Sequence, residues 1–401
     1  MAGRRRASRV VLSLVLLLAV LVGCGGRAPS DRASIEVQRV LDRRAAAILH
    51  RDEPAYRATG QVAAAGSEFG NLREVPLAAW AYHLTGLHRS GDRATATAEL
   101  RYRIQGYDRS PVTVGRTLRL ARSAGSWHVV SDEPAEKSGA QLWEQGAVTV
   151  VRGEHSLVLG VGQSGERLRA YADLADHAVP AVSQAWGTDW SAHVVMLVPK
   201  SLDGMAGLLG APASGYRGIA AVTTGEAGGS AQAPADRVIV NPDAYGVLGD
   251  FGKQVVLTHE TTHVATRAHT TAATPLWLSE GYADWVGYRG SGRTAPQVAP
   301  ELERAVVDGR IPAALPDDKD FGFTGDAARL ARAYEGGWMA CRLIADRWGE
   351  VRLNDFYRAV GDHKKRTGAV EAALRDVLHT TPEKFTTQWR DYLRAQLGSS
   401  S

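Results

Sequence analysis

The residues best suited to do chemistry lie in one short segment of this 401-residue chain. Two histidines, His259 and His263, are four residues apart, and Glu260 directly follows the first of them. Side chains four residues apart lie on the same face of a helix, so both imidazoles could reach one zinc ion. Glu260 would then stand beside the metal without binding it, where it could take a proton from an activated water. The pattern predicts a hydrolytic zinc site.

A catalytic zinc ion normally needs a third protein ligand, and Glu280 is the candidate. It follows His263 by seventeen residues, inside the segment Trp-Leu-Ser-Glu-Gly-Tyr-Ala. Asp284 lies one turn further along, where its carboxylate could bond the outer nitrogen of a zinc-binding histidine. Together with His259 and His263, Glu280 would complete the three protein ligands of one zinc ion per chain. The alternative is two structural histidines and two surface carboxylates.

Together, residues 255–264 and 277–284 resemble the gluzincin metallopeptidases, the clan of thermolysin and the zinc aminopeptidases. In that clan the glutamate of the second helix is the third zinc ligand, which implies this role for Glu280. In thermolysin-like members an aspartate placed like Asp284 orients a zinc-binding histidine, which here implies His259. The resemblance implies a zinc-dependent peptidase that acts on a peptide or protein substrate, with Glu260 as the general base.

A third segment, Ala-Tyr-Glu-Gly-Gly-Trp at residues 333–338, resembles the Tyr-Glu-x-Gly segment of the zinc aminopeptidases. Their tyrosine donates a hydrogen bond to the developing oxyanion, and the resemblance gives this role to Tyr334. Ordinary core packing is the alternative for Tyr334. The Gly-x-Met-Glu-Asn segment with which aminopeptidases hold a substrate amino terminus is absent from the sequence. Exopeptidase activity is therefore not implied. Residues 237–241 are the candidate for a strand that aligns a substrate peptide by edge pairing.

The amino terminus has the outline of a signal peptide: an arginine-rich start, then apolar residues 10–22, interrupted only by Ser13. Thirteen residues span about 20 Å as a helix, short of the roughly 30 Å core of a bilayer. The segment Leu-Val-Gly-Cys ending at Cys24 resembles the lipobox of bacterial lipoproteins. It implies cleavage of residues 1–23, a lipid on Cys24 and an anchor at the extracytoplasmic face of the cell membrane. A plain secretory signal is the alternative.

Composition limits the remaining possibilities. A chain of this length with 44% hydrophobic and 22% charged residues predicts two or three globular domains. Four arginines lie in the first 23 residues, so the formal charge of +4 falls to zero without them. A neutral chain argues against a nucleic-acid partner. The sequence gives no indication of the oligomeric state.

Periodicity predicts an α+β fold in two parts that follow a tether at residues 24–33. The first part, residues 34–133, opens with helical spacing, and strict alternation over residues 94–104 indicates a half-buried strand. A leading helix followed by a curved antiparallel sheet resembles the cone-shaped domains similar to nuclear transport factor 2. Further strands of this sheet are predicted at residues 80–87, 112–120 and 127–130.

For the second part, residues 147–398, the resemblance implies a gluzincin-like domain with a small mixed sheet and a mostly helical carboxy-terminal part. The glycine- and alanine-rich residues 223–234 predict a loop. Beyond residue 252 nearly every segment has helical spacing. Strands are predicted at residues 148–151, 156–161, 193–198 and 237–240, with a helix at 166–186.

These features favour a membrane-anchored, extracytoplasmic zinc-dependent peptidase. One alternative is a catalytically inactive surface lipoprotein that binds or scaffolds through its amino-terminal part. Another is a zinc hydrolase of non-peptide amides, which the sequence does not distinguish from a peptidase.

Overall fold

A computed structural model describes residues 29–60, 68–136, 138–224, 235–322 and 326–398. The predicted signal segment and the predicted lipidation site, Cys24, lie outside the described residues, as does most of the predicted loop at 223–234. Over these residues the fold is α+β with 51% helix, one antiparallel four-stranded sheet and one mixed five-stranded sheet. The predicted class is thereby confirmed. No helix in the described part of the chain combines the length and the apolar character that crossing a membrane requires.

The amino-terminal sheet contains four strands in chain order, joined as an antiparallel meander. Helix α1 packs across it, and the short α2 follows. Helix α1 begins within the predicted tether, since Pro29 suits a first helical turn and Ala33 is buried. The elements are α1 (Pro29–Leu49), α2 (Glu53–Arg57), β1 (Leu77–Ser90), β2 (Arg93–Ile104), β3 (Val112–Ser123) and β4 (Ser126–Pro134).

Strand β2 shows why this sheet forms. Leu100 and Tyr102 are buried on one face, whereas Glu99 and Arg101 alternate with them towards solvent. This is the period of two that a sheet with one covered face requires. The buried face joins α1 and part of the second sheet in one apolar cluster.

The second sheet has the order β5-β6-β7-β9-β8. Strands β6, β7 and β9 are parallel, whereas β5 and β8 are antiparallel to their neighbours and close the two edges. The elements are β5 (Val148–Arg152), β6 (Ser156–Val161), α3 (Gly165–Trp186), β7 (Val194–Val198), α4 (Leu202–Leu209), β8 (Ala221–Thr223) and β9 (Val238–Val240).

This order corrects two sequence-based predictions. Residues 237–241 do not supply an edge strand, because β9 has β7 on one side and β8 on the other. The edge strand is β8, whose three residues include Thr223, the first residue of the predicted loop. A three-residue strand is too short to show a period, so the sequence could not reveal it.

The rest of the chain is helical, as predicted. Trp277, Trp338 and Trp389 lie in the apolar core of this part. The helices are α5 (Pro242–Gly246), α6 (Asp250–Thr266), α7 (Leu276–Tyr288), α8 (Ala295–Val298), α9 (Pro300–Val307), α10 (Ala327–Trp348), α11 (Glu350–Gly361), α12 (Ala369–Asp376) and α13 (Pro382–Leu397).

Helix α6 is held by packing rather than by its own propensity. Its segment Thr-His-Glu-Thr-Thr-His contains β-branched and polar residues that are poor helix formers. The helix lies between the second sheet and α7, so Leu257 joins one apolar core and Ala265 the other. Burial on both sides fixes the side chains that α6 presents to its neighbours.

Candidate metal centre and active site

The three predicted metal ligands converge, two from α6 and one from α7. His259 and His263 lie one turn apart on α6, and their Nε2 atoms are 2.9 Å apart. Oε2 of Glu280 is 3.3 Å from Nε2 of His259 and 3.6 Å from Nε2 of His263. These three residues form a group of side chains that could hold a metal ion. All three side chains are at most 13% exposed.

The size of this triangle fits a zinc ion. Tetrahedral zinc with bonds of about 2.0–2.1 Å places its ligand atoms about 3.3 Å apart. The observed sides of 2.9, 3.3 and 3.6 Å define a circle of about 1.9 Å radius. A point about 2.0–2.1 Å from all three atoms therefore lies just off their plane. Two imidazoles and one carboxylate are also a donor set found in catalytic zinc sites.

Asp284 lies where the sequence predicted it, one turn after Glu280 on α7. Its Oδ1 is 2.8 Å from Nδ1 of His259, the ring nitrogen that points away from the ligand triangle. Burial disfavours a charge on His259, but the Asp284 carboxylate outweighs it and raises the pKa of His259 to about 10. This contact fixes the ring and leaves Nε2 facing His263 and Glu280.

Electrostatics at Glu280 also favour a cation. Burial alone would raise the pKa of this carboxyl group. The imidazoles of His263 and His259 outweigh that effect and hold the pKa of Glu280 below its ordinary value. The carboxylate is thus kept ionised in a buried place, which is the form that binds a metal.

Glu260 is buried on α6 and has a partner that sequence reasoning missed. Oγ1 of Thr223, at the end of β8, is 2.7 Å from Oε2 of Glu260. Only a hydroxyl can donate here, so Thr223 donates to the carboxylate. Thr223 carried no chemical signal in the sequence, because the contact joins residues 37 positions apart.

One cavity of about 840 Å³ joins these groups. His259, Glu260 and Glu280 line it together with Tyr334, whose ring centroid is 6.4 Å from that of His259. The structure thus brings Tyr334, on α10, to the site to which the sequence assigned it. Much of the remaining wall is apolar, with contributions from Val222, Val255, Leu276, Phe321 and Leu330.

Glycines hold α7 and α10 against each other beside this cavity. A Cβ atom on Gly281 would lie 2.3 Å from the carbonyl carbon of Gly337, and one on Gly337 would lie 2.5 Å from the carbonyl oxygen of Trp277. The two helices therefore touch backbone to backbone, which only glycine permits. Gly281 directly follows Glu280, and Gly337 lies three residues after Tyr334. Gly281 in the second segment and Gly337 in the third are thus explained by one helix contact.

Glu335, the neighbour of Tyr334, has a structural partner. Its Oε2 accepts a hydrogen bond of 2.6 Å from the backbone N–H of Leu302, near the amino terminus of α9. Burial raises the pKa of Glu335 to about 7, against the opposing effect of two backbone N–H groups. This carboxyl group fastens α9 to α10 beside the cavity.

Comparison with known proteins adds no family to these observations. No protein-family model matches the sequence, and none of the curated proteins matches it either. The functional conclusion therefore depends on the side chains and their geometry.

Proposed function

We propose that this chain is a zinc-dependent peptidase of the gluzincin type. The single observation that carries the proposal is the convergence of Nε2 of His259, Nε2 of His263 and Oε2 of Glu280 within 3.6 Å of one another. These residues would hold a zinc ion by three protein donors, the number that catalytic zinc sites use together with a bound water. Glu260 on the same cavity wall supplies the base that a purely structural site would not need.

When bound, zinc would polarise the scissile carbonyl and lower the pKa of the attacking water. Glu260 accepts the proton of that water and passes it to the leaving amine. Asp284 accepts a hydrogen bond from Nδ1 of His259 and so orients the ring, with Nε2 as the atom that zinc would meet when bound. Tyr334 donates a hydrogen bond to the oxygen on which negative charge develops in the transition state.

Strand β8 gives this site a means of aligning a peptide. Ala221, Val222 and Thr223 line the cavity, and β8 is the outer strand of the second sheet at this end. An extended peptide could add to that edge through backbone hydrogen bonds. The proposal thus assigns to β8 the role that the sequence suggested for residues 237–241.

The two finer fold assignments and the location belong to the same proposal. A mixed sheet, a helix with two histidines and a second helix with the third ligand support a gluzincin-type architecture. Helix α1 on a four-stranded meander supports the cone fold similar to nuclear transport factor 2. Cys24 would carry the lipid that anchors the chain at the extracytoplasmic face of the membrane. A Cys24→Ala variant should then leave the membrane fraction, and its retention there would contradict the lipid anchor.

The test of the reaction is peptide hydrolysis by the full-length chain. Wild type should cleave a mixed peptide library in a zinc-dependent manner, and Glu260→Gln should keep its zinc but lose about 100-fold or more in kcat. Glu166→Gln is the matched control, because Glu166 is exposed at the start of α3. Undiminished cleavage by Glu260→Gln would refute the assigned base.

The same experiment separates the alternatives. Zinc binding without turnover of any substrate would indicate a binding or scaffolding lipoprotein. Turnover of small amides with no peptide cleavage would indicate a non-peptide hydrolase. Either result contradicts the peptidase proposal while leaving the metal site intact.

A further inference from the structure

The catalytic base of the proposed reaction is held from outside its own helix. Thr223 is 0% exposed, and its Oγ1 lies 2.7 Å from Oε2 and 3.1 Å from the backbone oxygen of Glu260. A glutamate side chain has several rotamers, and a base must lie within hydrogen-bond reach of the proton it takes. The hydroxyl of Thr223 therefore selects the rotamer that Glu260 adopts.

Thr223 is in turn held by the start of β9. Thr223 pairs with Val238 in the short β8–β9 ladder. Next to it, the backbone N–H of Thr224 donates to the carbonyl oxygen of Arg237, and the backbone N–H of Arg237 donates to Oγ1 of Thr224, both at 2.9 Å. Two reciprocal hydrogen bonds thus join Arg237 to Thr224, the residue directly after Thr223.

The side chain of Arg237 reaches into the amino-terminal sheet. Its Nη1 and Nη2 each donate a 2.8 Å hydrogen bond to one oxygen of Asp108, in the turn between β2 and β3, 129 residues away. Asp108 also accepts a 2.7 Å hydrogen bond from the backbone N–H of Ile104. Both side chains are at most 7% exposed. A two-pronged buried pair of this kind resists separation, because either partner alone would be a buried unpaired charge.

We propose that the amino-terminal sheet positions the catalytic base. Asp108 fixes Arg237 at the start of β9, and Arg237 fixes the neighbouring end of β8. Thr223, at that end of β8, fixes the side chain of Glu260. This inference rests on the proposed peptidase function. Thr223 and Asp108 are positioning residues, since neither is assigned contact with the reacting atoms. The amino-terminal sheet thereby gains a role in the reaction in addition to any binding of its own.

A contact of Arg267 limits the effect that loss of the Asp108 contact can have on the position of the strand. It follows α6 directly, and its Nε donates a 2.9 Å hydrogen bond to Oδ1 of Asp236, next to Arg237. The segment before β9 is therefore attached at a second point, to the carboxy-terminal end of α6, the helix that carries Glu260. Loss of the Asp108 contact should therefore loosen the β8–β9 pairing without breaking it. Its effect on kcat should be smaller than that of losing the Thr223 hydroxyl.

The Thr223 contact is tested by Thr223→Val, which removes the hydroxyl at nearly constant volume, and by Thr223→Ser, which keeps the hydroxyl. Thr223→Val should lower kcat about 10- to 100-fold, keep KM within about twofold and keep zinc, because a hydrogen bond to a charged group is lost. Thr223→Ser should restore kcat to within about threefold of wild type. Thr262→Val is the control, since its buried hydroxyl donates to the carbonyl oxygen of Thr258 within α6. Full activity of Thr223→Val would overturn the proposal.

The Asp108 step is tested by a double-mutant cycle in the full-length chain. Asp108→Asn should lower kcat about tenfold in the wild-type background and less than about twofold in the Thr223→Val background, because Asp108 acts through Thr223. Asp391→Asn, which breaks an exposed pair with Arg394, is the control. Equal losses in both backgrounds would show that Asp108 acts by another route. Should Asp108→Asn fold poorly, Arg237→Lys keeps the charge and removes the two-pronged contact.

A readout independent of turnover separates this inference from the proposed function. Hydrogen exchange of the backbone amides at residues 221–224 and 238–240 should be about tenfold or more faster in Asp108→Asn than in wild type or Asp391→Asn. Unchanged exchange would reject the anchor even in an active enzyme. Faster exchange in a chain without any hydrolytic activity would instead show that the peptidase proposal had failed.

Discussion

Replacing Gly281 by alanine should force α7 and α10 apart at the active site. The added Cβ would lie 2.3 Å from both the carbonyl carbon and the carbonyl oxygen of Gly337, whereas ordinary contacts are 3.4–4 Å long. The obstacle is backbone on a buried helix, which cannot rotate aside as a side chain can. The helices must therefore separate locally by about 1 Å.

The cost of that separation can be worked out in two parts. Overpacking a well-packed core typically costs about 1–3 kcal/mol, and the gain in helix propensity from glycine to alanine returns at most about 1 kcal/mol. The catalytic effect is larger, because α7 carries Glu280 and α10 carries Tyr334. A shift of about 1 Å between such groups can cost about 100-fold in rate.

The assay compares thermal unfolding and kcat/KM of Gly281→Ala with those of Gly165→Ala. Gly165 opens α3, and a Cβ there would meet nothing within 4 Å, so the control makes the same chemical change in open space. We expect Gly281→Ala to unfold several degrees lower and to lose about 100-fold in kcat/KM, with Gly165→Ala unchanged. Equal stability and activity of the two variants would refute the close contact of α7 and α10.

Two further predictions concern Asp284 and Glu335, whose carboxyl groups lie beside the cavity. Asp284→Ala should weaken zinc binding about tenfold or more, because His259 loses the partner that fixes its ring, and chelator competition measures this; an unchanged dissociation constant would contradict the assigned contact. Burial raises the pKa of Glu335 to about 7, so the folded chain retains a proton that the unfolded chain releases, and stability should fall as pH rises from about 4.5 to 7. Glu335→Gln should lose this part of the pH dependence in denaturant unfolding, and an identical profile would argue against the raised pKa.

Local patterns predicted much of the fold because the forces behind them are local. The alternation in β2 arises because one face of its sheet is covered. Helix α7 forms one uninterrupted helix over Leu276–Tyr288, most of whose residues are buried. The two histidine ligands could also be predicted from the sequence, since His259 and His263 are one helical turn apart on α6. For Glu280 the sequence offered a short segment, and the structure brings that segment to the histidines.

The missed features are contacts between distant parts of the chain. Strand β8 is set by its pairing with β9 and its packing on α6, not by its own three residues. The hydroxyl of Thr223 bonds to Glu260, 37 positions further along the chain, and the Asp108 pair with Arg237 joins two sheets. The contact of Gly281 with Gly337 likewise joins two helices. Periodicity carries no information about such pairs, so β9 was wrongly predicted as the edge strand.

The most direct test of the central claim is the zinc content and coordination of the purified full-length chain. X-ray absorption should show about one zinc per chain with two imidazoles and one carboxylate at about 2.0–2.2 Å, and Glu280→Ala should lose the carboxylate and about tenfold or more in affinity. Absence of zinc after metal loading, or a zinc ion whose coordination and affinity are the same in Glu280→Ala, would contradict the account.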